Sequence, residues 1–157
     1  MRLWRLTRAP FVALEGAGAQ RHGGRYSPPG LPVVPLASEA GLAVLIALRY
    51  LPRDQTQWPQ DFVLGWTEID ARPERLSGAG EGGQFDESVR AQVSRWHGEQ
   101  RSLLAAISSR VLPEADVVLL NPRHPDASRV MPLVTRPFDF ADCLHLPPML
   151  PQYRSAS

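Results

Sequence analysis

The sequence contains no lysine: all 17 basic side chains are arginine, against 16 acidic ones. A chain without lysine has no Schiff-base amine, no lysine base and no phosphate loop ending in a Gly-Lys pair. Arginine stays protonated and offers a planar fork of donors, so it suits phosphate and carboxylate recognition and not proton abstraction. Cys143 is the single cysteine, which excludes an intramolecular disulfide and CxxC zinc sites. None of His22, His97, His124 and His145 forms an HxxxH or HExxH pair, so no metal site is expected. No apolar run approaches the ~20 residues that span a bilayer. Met1 to Pro10 alternates basic and apolar residues, unlike a secretory signal. The expectation is a soluble, cytoplasmic protein with no membrane partner. A net charge of +1 gives no reason to expect direct nucleic-acid binding.

What is present fits one domain of 157 residues, 16 of them prolines that punctuate short segments. Leu3 to Thr7 and the aromatic-rich stretch from Asp61 to Ile69 read as strands. Pro10 to Leu14 reads as one helical turn, stopped by the GAGA of residues 16 to 19. Leu31 to Leu36 is extended, and Ser38 is placed to cap a helix that the apolar residues from Leu42 to Leu51 continue and Pro52 ends. SGAGEGGQ, from Ser77 to Gln84, reads as a mobile loop, after which Asp86 caps a helix with Val89, Val93 and Trp96 on one face. Leu103 to Ile107, Val117 to Leu120 and Pro132 to Phe140 complete the strands. Strands and helices mix without strict alternation, which favours an α+β domain: a small mixed or antiparallel sheet flanked by helices. The domain is expected over residues 1–151, with a frayed tail at 152–157.

Gly23-Gly24-Arg25-Tyr26 sets an arginine where the backbone can approach a ligand. Its fork can grip a diphosphate while Tyr26 stacks on a ring, or the segment is a surface hairpin. Ser109 ends an apolar strand, where it can hydrogen-bond a ribose or cap the local backbone. It lacks the GxSxG setting of a nucleophile. Asn121-Pro122-Arg123-His124-Pro125 is a rigid polar turn.

Together WRL at residues 4–6, GGRYSPPG at 23–30, SEAGLAVLIALRYL, LLNPRHPD at 119–126 and RPFDF at 136–140 resemble the RES-domain family. That resemblance implies an ADP-ribosyltransferase-like fold and a bacterial toxin that consumes NAD beside a helix-turn-helix antitoxin. The family arginine falls on Arg25, the family serine on Ser109 and the first-strand arginine on Arg5. The family tyrosine falls on Pro35, and the family glutamate on Ile46, which can neither stabilise an oxocarbenium ion nor activate water. Glu39 lies on the same helical face about 10 Å away along the axis. Glu68, Glu81, Glu87 or a protein substrate are further sources of the carboxylate.

The resemblance thus implies a mono-ADP-ribosyltransferase toxin. Arg5 and Arg25 would bind NAD phosphates, Tyr26 would pack on a ring, and Ser109 would hold the nicotinamide ribose; Arg25 and Ser109 form the catalytic pair. The expected partners are a host protein acceptor and an antitoxin that covers the NAD pocket in a hetero-oligomer. Alternatives are an NAD glycohydrolase or phosphorylase, and a catalytically dead fold kept as a binding module.

Overall fold

The computed structural model describes residues 1–143. The expected tail at 152–157 and the end of the domain at 151 lie outside the described residues, as does His145. Seven strands form one sheet: β1 (Arg2–Arg8), β2 (Val34–Ala37), β3 (Phe62–Glu68), β4 (Glu74–Arg75), β5 (Leu104–Ser108), β6 (Asp116–Leu120) and β7 (Val134–Pro137). Their order is β4-β5-β6-β2-β1-β3-β7, antiparallel throughout except for the β4–β5 pair. Three α-helices accompany them among the described residues: α1 (Ala17–His22), α2 (Ala40–Leu48) and α3 (Gly83–Gly98). The architecture is the expected α+β domain with a mixed sheet.

Burial on both faces explains why β5 and β6 read as unbroken apolar runs. Ala105, Ile107, Val117 and Leu119 point to one face, where Val89, Val93 and Trp96 of α3 cover them. Leu104, Ala106, Val118 and Leu120 point to the other, packing with Leu3 of β1 and Val34 and Leu36 of β2. Trp96 is fully buried and its indole N–H donates to Ser102 Oγ at 2.8 Å, so the largest core ring keeps its polar atom satisfied. A third cluster joins Leu6 of β1 to Leu42 and Ala43 of α2.

The middle of the sheet is only tacked together. β1 pairs with β3 along its whole length, from Arg2↔Glu68 to Arg8↔Phe62, yet meets β2 at Trp4↔Ala37 alone. Continuing that register would bring Leu6 opposite Pro35, which has no N–H to donate to a ladder. The two halves of the sheet therefore part beyond Trp4.

Several local expectations are corrected. GAGA does not stop a helix but starts one: Gly16 takes φ +72° as the N-cap of α1. A Cβ there would lie 2.8 Å from the Val33 nitrogen, so glycine lets the two segments touch. The single turn expected at Pro10 to Leu14 is a 3-10 turn over Ala9–Phe11. Ser38 does not cap α2; Glu39 holds that position, and Ser38 Oγ accepts the Asp116 N–H at 2.9 Å, tying β2 to β6. α2 ends at Leu48, and tighter i→i+3 bonds carry the chain to Leu51. Asp86 does not cap α3 either: it sits inside the first turn, and Gly82 is the N-cap.

Candidate functional site

Glycine geometry sets the first side of the site. Gly23 ends α1 at φ +71°, and the Gly24 N–H donates to Ser27 O at 2.8 Å, closing a tight turn around Arg25 and Tyr26. Tyr26 is buried in the same cluster as Val89, Val93, Ile107 and Val117. The Arg25 guanidinium carbon lies 5.8 Å from the Tyr26 ring centroid, within cation–π range. Burial is the main reason the Tyr26 hydroxyl holds its proton more tightly than usual; nearby Arg25 opposes the effect and Asp86 adds to it.

A second side comes from α3. Asp86 shares the inward stripe of Val89, Val93 and Trp96, so its carboxylate points where the apolar residues do. Its Oδ2 accepts from Arg25 Nε at 3.3 Å and lies 3.8 Å from Arg110 Nη1. Its Oδ1 is buried with no hydrogen-bond partner among the described residues. Beside this group lies a hollow of about 370 Å³ lined by Gly80, Glu81, Gly82, Phe85 and Arg110.

The third side is the turn after β5. Ser109 is 4 % exposed. Its Oγ accepts from the Val111 N–H at 3.2 Å and the Leu112 N–H at 3.3 Å, and its own N–H donates to Ala115 O at 2.9 Å. A hydroxyl has two acceptor sites and one donor. With both acceptor sites engaged, Ser109 retains a proton to donate and is poorly set up as a nucleophile. The same turn carries Arg110 to Asp86.

Ile46 of α2 packs against the cluster that holds Tyr26, and Tyr50, one turn on, is close enough to raise the Tyr26 pKa slightly further. Arg25, Tyr26, Ile46 and the Ser109–Arg110 turn are thus brought together. Arg5 is not: it follows Leu3 on the opposite sheet face, where its Nη1 donates to Ala13 O at 3.1 Å. Desolvation lowers its pKa from the ordinary guanidinium value. Pro35 is exposed on β2, and Glu39 is exposed at the start of α2. Glu68 is engaged with Arg2 at 2.7 Å, Glu87 is exposed, and Glu81 lines the hollow.

Two residues in the cluster, Asp86 and Arg110, were not anticipated as site residues. The spacing of Asp86 with Val89, Val93 and Trp96 carried the signal, because a residue on the buried stripe faces inward rather than capping the helix. Among the described residues, no group of three His, Cys, Asp or Glu side chains could hold a metal ion. No helix among them is long and apolar enough to cross a membrane.

Comparison with known proteins agrees on one family. The model of the RES domain matches residues 2–141. The chain is 32% identical over 131 residues to the Prs ADP-ribosylating toxin of Sphingobium sp. (strain YBL2), covering 74% of this chain and 77% of that protein. It is 31% identical over 134 residues to the protein named Toxin Res of Pseudomonas putida, covering 81% of this chain and 88% of that one. Its fold is similar to a chain in the crystal structure of the M. tuberculosis MbcT-MbcA toxin-antitoxin complex. The TM-score is 0.65 at 17% identity, over 89% of this chain and 85% of that one.

Proposed function

This chain belongs to the RES domain family, and we propose from that premise that it is the toxin of a toxin–antitoxin module, transferring ADP-ribose from NAD to a protein acceptor. The supporting observation is the convergence of Arg25, with Tyr26 beneath it, and the Ser109–Arg110 turn on Asp86, Arg110 itself lining the hollow. Arg25 offers its fork to a phosphate, Tyr26 packs beneath it, and the Ser109 hydroxyl donates to an oxygen of the nicotinamide ribose. Arg5, the phosphate ligand that the resemblance implies, lies on the other sheet face and has no part in this reading.

In the reaction the bond between nicotinamide nitrogen and ribose C1′ breaks, and nicotinamide leaves with the electron pair. A nucleophile of the acceptor protein bonds to C1′ and gives up its proton to solvent. Hydrolysis instead needs a carboxylate free to activate water. Ile46 supplies none, and Asp86 is held through Oδ2 by Arg25, which leaves Glu81 on the hollow as the carboxylate a hydrolytic reading would have to use. An acceptor that brings its own nucleophile avoids that need, because holding it beside C1′ makes attack effectively unimolecular. By analogy with the solved toxin-antitoxin complex, the binding partner is an antitoxin.

Incubation with NAD labelled in its adenylate part and with bacterial lysate tests the reading. A labelled protein band is expected. Free ADP-ribose accumulating with no labelled band would replace transfer by hydrolysis, and no NAD loss would remove the enzymatic reading.

A further inference from the structure

Asp86 is a misplaced charge for a site that binds an anion, because on Coulomb grounds a carboxylate there repels phosphate. Its contacts suggest a different purpose. It engages Arg25 through Nε, and among the described residues neither terminal nitrogen of Arg25 makes another hydrogen bond. Among the described residues the four N–H donors of the two terminal nitrogens are therefore left open. The same oxygen, Oδ2, draws in Arg110 to 3.8 Å, although Arg110 comes from a turn 85 positions along the chain, from residue 25 to residue 110. Two guanidiniums that would otherwise repel are therefore gathered at one point, and the group of three carries a net positive charge.

The hollow next to them is bounded by Arg110 and by Gly80, Gly82 and Phe85 at the start of α3. Gly82 caps α3 with no side-chain hydrogen bond, so the positive end of a 16-residue helix faces the same space. Glu81 is the opposing carboxylate on that lining.

We propose that Arg25 and Arg110, bridged by Asp86, form a two-arginine clamp for a diphosphate, with Arg110 as a second binding arginine and Asp86 as the residue that positions both. The clamp rests on the reading that this site takes NAD and specifies which groups hold the pyrophosphate. Each arginine takes one phosphate of the pair, and Asp86 touches neither.

Calorimetric titration of the whole protein with NAD and, separately, with inorganic pyrophosphate tests this. Arg110→Ala is expected to weaken both ligands about tenfold, with Arg110→Lys recovering part of the loss. Asp86→Asn and Asp86→Ala are expected to weaken both as well, although each removes a negative charge. The KM for NAD should rise more than kcat falls. Tighter or unchanged pyrophosphate binding in both Asp86 variants overturns the positioning role, and Arg110→Ala binding like the wild type overturns the clamp. A wild-type protein that binds pyrophosphate but not NAD keeps the clamp and removes the NAD reading. If wild type binds neither, both fall.

Discussion

Replacing Ser109 by alanine separates the two jobs its hydroxyl can do. The Oγ accepts two backbone N–H groups, from Val111 at 3.2 Å and Leu112 at 3.3 Å. A buried N–H stripped of its acceptor costs about 1–3 kcal/mol. Both bonds are long and Val111 is 39% exposed, so water replaces part of what is lost. The sum should therefore sit near that of a lost serine cap, about 1–2 kcal/mol. For a domain of this size each kcal/mol moves the thermal midpoint by about 2–4 °C, giving a fall of roughly 2–8 °C by circular dichroism. NAD consumption is then measured well below both midpoints. The lost donor and the loosened Arg110 turn should together lower kcat/KM about tenfold, which corresponds to about 1.4 kcal/mol of transition-state binding. A midpoint within 1 °C of wild type would show that the turn bonds carry no stability. Wild-type turnover in the folded variant would refute any contact between Ser109 and the ligand.

Trp96→Ala removes a fully buried ring and the partner of Ser102, and should cost about 3–5 kcal/mol in urea unfolding. His97 is buried and its Nε2–H donates to Pro32 O at 2.9 Å, with desolvation lowering its folded pKa below the unfolded value of about 6.5. The neutral ring is therefore the folded form. Its contribution is complete above pH ~6.5 and is lost as pH falls towards the folded pKa, since the unfolded chain then binds more protons. Unfolding midpoints at pH 8 and pH 5 should differ less in His97→Gln than in wild type. Ile46→Glu puts a carboxylate among apolar neighbours of two clusters and should cost about 2 kcal/mol. It should also raise free ADP-ribose relative to labelled protein, and an unchanged ratio would show that a carboxylate there does not decide between water and acceptor.

Local rules carried the fold where burial is symmetric or simply periodic. The runs that became β5 and β6 are apolar on every residue because both faces are covered, and the stripe of α3 repeats at helical spacing. The errors fall where tertiary contact overrode a local preference. Ser38 is a good cap residue used instead to join two strands, and GAGA begins a helix because Gly16 must lie against Pro32 and Val33. The single β1–β2 pair was not readable at all, since register between strands some 30 residues apart depends on what packs between them.

The site divides in the same way. Arg25 and Ser109 came from a resemblance in sequence order, which states that two residues belong together without stating why. The structural link runs through Asp86, 61 residues from Arg25 and on a different element, which meets Arg25 and Arg110, the residue after Ser109. A glutamate at position 46 would set a second carboxylate against the cluster that contains Tyr26. As it stands, Asp86 is the sole carboxylate partner of Arg25 among the described residues, and Ile46 adds apolar surface to the cluster that holds Tyr26. On the proposed reading, the absence of a carboxylate at position 46 and the anchoring of Arg25 from α3 both serve the grip on a phosphate rather than the activation of water. Ile46→Glu combined with Asp86→Ala is the variant in which those roles would be exchanged, and it should hydrolyse NAD faster than either single variant.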